Sequence, residues 1–422
     1  MAALVLSIGD ELTSGLTANT NASWLSQQLA TVGIATAAHV TVPDQLLPIV
    51  TAIREGLERG VELILITGGL GPTEDDLTRQ ALADALGEEL VEDPEAVVQI
   101  ERWFKARSRL MSPSNRLQAL RPHSAVIIEN LAGTAPGMRV VRNGTNIFVM
   151  PGVPAEMRGM FTESVLPALK EMAGERVTTV WKINTFGRGE SVIGEAIKDL
   201  MVRGGGGAGG GNLLVGTTAN EGIVSVRIYA TATRAEAAAM TERVRQEVLS
   251  RLGAIVFGEN EETIESAVAR VLKEKKCTVA SAESCTGGLL GKLLTDTAGS
   301  SAYFMRGWVT YMNASKSEEL GVPAELIGEH GAVSEPVARA MAEGARKFSE
   351  TDFALATTGI AGPDGGTAEK PVGTVWIAMA GPDGTEARRF IFPGDRKGIR
   401  LRASQMALSM LRWKLLGIAT PI

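Results

Sequence analysis

Histidine and cysteine are scarce in this chain, with three and two in 422 residues. His39, His123 and His330 are widely separated and form no Ser-His-Asp pattern, so imidazole is a poor candidate for activating a nucleophile. Cys277 and Cys285 lie close together and do not suggest a disulfide framework. Basic residues are not in excess: 42 Lys and Arg against 48 Asp and Glu leave a net charge of −6. That balance argues against nucleic acid as the main partner. No apolar run is long enough to cross a bilayer, so no membrane partner is expected. No basic region precedes Ala2–Ile8, and Gly9-Asp10-Glu11 follows at once, which does not read as a secretory signal. A cytoplasmic location is the simple expectation.

The composition is 45% apolar and 21% charged, that of an ordinary globular protein. At roughly 100–200 residues per domain, the length predicts two or three domains. Leu4–Ile8 and Val61–Thr67 read as buried strands. Asn19–Val32 and Leu46–Leu57 read as amphipathic helices, and Ala38–Val42 as another strand. Strands alternating with helices predict an α/β domain whose parallel sheet is covered on both faces. After Val61–Thr67 comes TGGLGPTEDD. Thr67, Gly68, Gly69 and Gly71 stand where a strand end can present backbone N–H groups to phosphate. Asp75 and Asp76 could hold a hard divalent cation such as Mg²⁺. Alternatively, the glycines form a plain turn and one of the aspartates caps the next helix. NRLQA (115–119), NLAGTAPG (130–137) and PGVPAEM (151–157) add further polar or glycine-rich loops. Glu156 reads as a partner of a helix dipole.

Val177–Phe257 alternates strand, helix, strand, helix, which predicts a small α+β module of KH-like or ferredoxin-like type. It has no basic GxxG loop in context, so a spacer or dimerisation role is expected. Gly204–Gly211 reads as a mobile low-complexity loop.

TVASAESCTGG (278–288) organises the second half. It predicts a buried strand breaking over Gly287-Gly288 into a helix, with Ser284 and Cys285 at the corner. A small nucleophile beside unpaired N–H groups is suited to acyl transfer. Ser284 could be activated by Lys316, because a lysine shielded from water has a lowered pKa. Tyr311, in the predicted strand Phe304–Met312, could relay the proton or orient the lysine. Cys285 remains the rival nucleophile, since thiolates form readily at helix N-termini. Ser334 is expected to cap a helix with Pro336 in its first turn. Asp352–Thr358 predicts a strand ending in Gly359-Ile360-Ala361-Gly362-Pro363. Val372–Ala380 and Ala387–Phe392 predict two more. Arg396 opens the final helix, where a cation opposes the dipole unless an anion binds there.

TGGLGPTEDD, NRLQA, GTAPG and PGVPAEM resemble the N-terminal, molybdopterin-binding-like domain of the CinA family. That resemblance implies a three-layer α/β fold and metal-dependent hydrolysis of ADP-ribose. Gly68, Gly69 and Gly71 would then face phosphate, with Asp75 or Asp76 near the metal. AESCTGG, AGSS, VTYMNASK, HGAVSEP, TGIAGPDGG, KPVGTVW and FPGDR resemble, in order, the nicotinamide-nucleotide amidase family, which also forms the CinA C-terminal domain. This implies an α/β amidase that turns nicotinamide mononucleotide into nicotinate mononucleotide and ammonia without a metal. The resemblance puts the catalytic serine, tyrosine and lysine on Ser284, Tyr311 and Lys316. Ser301, Thr358 and Arg396 match further site positions. Gly287, Gly288, Gly359 and Gly362 would help to bind substrate, and a homodimer is implied. The expected domains are 1–175, 176–258 and 259–422. Two other readings stand beside this one: a non-catalytic partner in competence or recombination, and a molybdopterin-binding enzyme.

Overall fold

The structure, a computed structural model, describes residues 1–201 and 212–421. Gly204–Gly211 lies outside them. The contacts divide the described chain into two compact units, Met1–Val180 with Tyr229–Thr241, and Trp181–Ile228 with Glu242–Ile422.

Strands β1 (Ala2–Ile8), β2 (Ala35–Val42) and β3 (Leu63–Thr67) begin the first sheet. Strands β4 (Leu90–Glu92) and β5 (Leu120–Pro122) form a separate two-stranded ribbon. Strands β6 (Val126–Ile128), β7 (Gly137–Arg142) and β8 (Thr145–Met150) complete the first sheet, in the order β2-β1-β3-β8-β7-β6. β1, β2, β3 and β8 are parallel, whereas β7 runs antiparallel to both its neighbours, β8 and β6. The sheet is therefore mixed rather than wholly parallel. The reason is local: Asn143-Gly144, both at positive φ, turn β7 straight back into β8. Side chains of β1 alternate between two cores. Leu4, Leu6 and Ile8 pack with Ile49 and Ile53 on one face, while Ala3 and Val5 pack with Leu25 and Leu29 on the other. Helices thus cover both faces, giving three layers.

The middle sheet contains β9 (Arg176–Phe186), β10 (Leu213–Asn220), β11 (Ile223–Thr233) and β12 (Val256–Glu259), ordered β10-β11-β9-β12. Val224, Val226 and Ile228 point to one side, where Val244 and Val248 of the helix Arg234–Leu252 meet them.

The C-terminal sheet orders β13 (Val279–Glu283), β14 (Phe304–Val309), β15 (Phe353–Gly359), β16 (Thr374–Gly381) and β17 (Gly384–Ile391) as β14-β13-β15-β16-β17. β13, β14 and β15 are parallel, and β16 runs antiparallel to both its neighbours, β15 and β17. One face carries Val279, Leu355, Ile377 and Met379 against the long helix Arg396–Leu415. The other is built from Ala280, Ala282, Ala354, Ala356, Ala378 and Ala380. Those small side chains let the helix Glu335–Ser349 lie close to the strands. β14 ends at Val309, shorter than the alternation predicts, because the buried Thr310 turns the chain toward the helix Asn313–Leu320. Ser334 stands before the helix Glu335–Ser349, but its hydroxyl donates to the Gly331 carbonyl, 2.7 Å away, instead of capping.

Candidate active site

β13 is buried along its whole length and releases the chain at Glu283. The Ser284 N–H donates to the Thr357 carbonyl at 2.9 Å, and the Thr286 and Thr357 hydroxyls share a 2.6 Å hydrogen bond. These contacts pin the corner to β15. Gly287 and Gly288 both take positive φ, 58° and 92°, which lets the backbone turn into the helix Leu289–Thr295. Ser284 is half-buried at this corner. From the helix Asn313–Leu320, Lys316 reaches it with Nζ 3.2 Å from the serine Oγ. Lys316 is only 1% exposed, and its other contacts are the carbonyl oxygens of Thr310 at 2.8 Å and Tyr311 at 3.3 Å. No carboxylate pairs with it among the described residues. Burial holds its pKa below the ordinary lysine value. A protonated Nζ donates to all three oxygens, and loss of one proton leaves two hydrogens for the carbonyls and a lone pair toward the Ser284 hydroxyl.

The backbone amides of this corner have distinct partners. Ser284 N–H is on Thr357, Gly287 N–H on the Ser284 carbonyl and Leu289 N–H on the Thr286 carbonyl. The Glu283 carboxylate, 1% exposed, accepts from Gly288 at 2.9 Å, Leu290 at 3.0 Å and Gly291 at 2.7 Å. Among the described residues of this stretch, only the N–H groups of Cys285 and Thr286 have no acceptor on another residue, and the Cys285 N–H lies against its own thiol. From the other side, Arg400 places Nε and Nη2 on the Thr286 carbonyl, at 3.1 and 2.6 Å. Arg396 donates to the Gly362 carbonyl and to the Tyr311 phenol oxygen, both at 2.9 Å. With Lys397 and Arg400 it lines a cleft of about 570 Å³.

In the first domain, a cleft of about 410 Å³ is lined by the glycine loop, Glu11, Asp44, Asp75 and Asp76, together with Glu156. A side chain at Gly68 would run into the Ile8 carbonyl. Buried Arg79 donates to the Leu70 and Gly71 carbonyls at 2.8 and 2.6 Å. Asp76 accepts from the Gly71 N–H at 2.6 Å, and also from the N–H and hydroxyl of Thr73. Burial, with Asp10, Glu11 and Asp75 close by, holds the Asp44 carboxyl above its ordinary pKa. Among the described residues, no three Asp, Glu, His or Cys side chains converge to hold a metal by themselves.

Three family models cover most of the chain. A probable molybdopterin binding domain matches residues 4–171, the damage-inducible protein CinA KH domain 182–258, and the CinA C-terminal domain 261–415. A putative competence-damage inducible protein of Symbiobacterium thermophilum is 43% identical over 430 residues, covering 99% of each chain. The chain belongs to the CinA family. A CinA-like protein of Geotalea uraniireducens is likewise 43% identical, over 98% of this chain and 97% of its own. Among solved structures, the competence/damage inducible protein CihA from Agrobacterium tumefaciens is 44% identical, covering 35% of this chain and 93% of its own, with a TM-score of 0.34.

Several residues of this CinA-family chain stand differently from their sequence reading. Cys285 is 6% exposed, and burial pushes its thiol up to about 12, so it is no thiolate. Tyr311 meets Lys316 through its main-chain carbonyl, while its phenol faces Arg396. Thr358 is 1% exposed and its hydroxyl donates to the Ala332 carbonyl at 2.8 Å, so that proton is not offered to phosphate. Ser301 is remote from Ser284 in its own chain. Val279 pairs with Phe304, so Ser301 lies before the start of parallel strand β13, whereas Ser284 follows its end. Strand rise separates those ends by roughly 13 Å. The Gly288 amide, expected to help bind substrate, is held by Glu283. In the first loop, Gly68 N–H is on the Met150 carbonyl and Gly71 N–H on Asp76, so neither faces phosphate. Asp76 closes its own loop rather than capping a helix. The following helix, Thr78–Leu86, has Leu77 in front of it and no side-chain cap. Glu283 and Arg400 were not singled out from sequence. A lone ionisable residue in the small, apolar run VASAE was the available signal for Glu283.

Proposed function

We propose that the CinA C-terminal domain hydrolyses the carboxamide of nicotinamide mononucleotide to nicotinate mononucleotide and ammonia. The approach of a buried, carboxylate-free Lys316 to Ser284 carries this reading. Lys316 accepts the Ser284 proton as Oγ attacks the amide carbon. The N–H groups of Cys285 and Thr286 receive the oxyanion. The tetrahedral intermediate collapses to the acyl-serine as the lysine proton passes to the departing nitrogen, which leaves as ammonia. Water then attacks the ester with Lys316 again taking a proton, and Ser284 recovers its own. The Tyr311 carbonyl orients the amine, and Arg396 with Lys397 supplies positive charge for the 5′-phosphate. The test is ammonia release by purified protein. Ser284→Ala abolishes it while the thermal melt stays in place. Unchanged release in that variant removes Ser284 from the role.

The first cleft supports a second activity, hydrolysis of the ADP-ribose pyrophosphate with a divalent cation. The observation favouring it is the crowding of Asp10, Glu11, Asp44 and Asp75, which a cation would relieve. One or two carboxylates suffice for Mg²⁺ when substrate phosphates complete its shell. Asp75 and Asp44 would hold it, and when bound it would neutralise charge on the phosphates. The Gly69 and Leu70 amides are the loop donors left for phosphate. Metal-dependent AMP release, lost in Asp75→Ala, is the expected result. No AMP with any divalent metal refutes it. We also infer a cytoplasmic homodimer from the family resemblance, which sedimentation at micromolar concentration tests for assembly.

A further inference from the structure

Glu283 has no place in the proton path just described, yet it is the residue immediately before the nucleophile. It is an ionisable side chain with almost no access to water, at the end of a strand of small and apolar residues. No lysine or arginine forms an ion pair with it among the described residues. Its two oxygens instead accept from three backbone amides, Gly288, Leu290 and Gly291, at 2.7–3.0 Å. A carboxylate kept from water needs such compensation, and charge-assisted bonds to backbone N–H groups supply it.

The location of those amides gives the contact its consequence. They lie on the far side of the Ser284–Gly287 turn, while Glu283 itself lies on the near side. The carboxylate therefore ties the two ends of the turn together. Arg400 fixes the middle of the same turn through the Thr286 carbonyl. The Thr286 carbonyl shares its peptide plane with the Gly287 N–H, and that N–H donates at 3.1 Å to the Ser284 carbonyl, whose own plane carries the Cys285 N–H, so the hold of Arg400 passes to that donor. With Thr286 held by Arg400 and the turn's ends closed by Glu283, the amides of Cys285 and Thr286 are adjacent and engage no other residue.

We infer that Glu283 is a positioning residue for the acyl-transfer step: its carboxylate sets the Cys285 and Thr286 amides as the oxyanion donors. The inference rests on the amidase reading of Ser284. Gln at 283 preserves shape and volume, but its amide nitrogen cannot accept, so at least one of the three N–H groups loses its partner. Asp keeps the charge but is one methylene too short to span the turn.

The experiment measures kcat and KM for ammonia release from nicotinamide mononucleotide in the parent, Glu283→Gln and Glu283→Asp. Labelling of Ser284 by a fluorophosphonate runs alongside, because its phosphoryl oxygen takes the place of the oxyanion. A displaced donor pair costs rate in the reacting state, on the order of 10- to 100-fold in kcat, with KM within about twofold. Labelling slows in parallel. Parental kcat and labelling in Glu283→Gln overturn the inference. So does a rise in KM at constant kcat, which places Glu283 in substrate binding. Should Glu283→Gln not fold, Glu283→Asp gives the same reading. A parent that labels at Ser284 but releases no ammonia refutes the substrate while leaving the Glu283 comparison measurable by labelling. A parent that does neither refutes the nucleophile, and the role of Glu283 with it.

Discussion

Two buried basic side chains, one in the molybdopterin-binding-like domain and one in the CinA C-terminal domain, are treated alike by the fold and end up chemically different. Lys316 is 1% exposed and Arg79 is 6% exposed, and both rest on backbone carbonyls instead of pairing with a carboxylate. Burial lowers the pKa of each. For Arg79 the value comes down only to about 10, with Asp76 opposing the fall. A guanidinium there stays charged at neutral pH, so it is a clamp on the Leu70 and Gly71 carbonyls and nothing more. Lys316 starts lower and has a single nitrogen, so the same desolvation brings it closer to releasing its proton. The lesson is that a similar environment yields scaffold or chemistry according to whether the group can release its proton.

Lys316→Arg is the strongest way to break this comparison. It keeps a cation on the carbonyls but removes the base, so kcat for ammonia release is expected to fall on the order of 10²- to 10⁴-fold. Retained activity would show that proton release at 316 is not needed. In the proposed mechanism the neutral amine is the working form, so kcat is expected to rise with pH through an apparent pKa below the ordinary lysine value of 10.5. The same shift has a stability sign. The folded pKa is depressed, so the unfolded chain binds more protons between the two values, and stability rises with pH across that window. Lys316→Met removes this slope in denaturant titrations.

Arg79→Met tests the other side. It leaves two buried carbonyls without donors and should destabilise the first domain by about 1–3 kcal/mol. Ammonia release should be unaffected, and a large loss of it would mean that Arg79 does more than hold its own loop. The smallest expected effect belongs to Thr358→Val. Losing the bond to Ala332 should cost about 1 kcal/mol in unfolding free energy. KM for the nucleotide should not move, whereas a raised KM would return Thr358 to the phosphate site.

Much of the fold was legible because hydrophobic periodicity reports burial directly. Leu4–Ile8 and Val61–Thr67 alternate between two apolar cores, and such runs have few other stable placements. The direction of strands β6, β7, β16 and β17 was not legible, because a run of apolar residues carries no information about its neighbour's polarity. Ser301 failed for a related reason. Motif order places it between Ser284 and Tyr311 in the chain, but only the parallel pairing of β13 with β14 shows which end of the sheet it occupies. Thr67 is a buried strand end, and Gly68 and Gly69 turn the chain after it at positive φ. That Asp76 and the sheet occupy the Gly71 and Gly68 amides depends on hydrogen-bond geometry that residue types do not encode.

By itself the sequence determined the family, the three successive domains and a hydroxyl and an amine at neighbouring strand-to-helix turns, because these follow from local patterns and ordered motifs. Tertiary structure alone decided the protonation chemistry and the direction of each donor. Cys285 became an inert buried thiol and Lys316 a shielded amine because desolvation depends on every element packed around a group. Glu283 acquired its three amide partners because a strand end and the following helix were brought face to face.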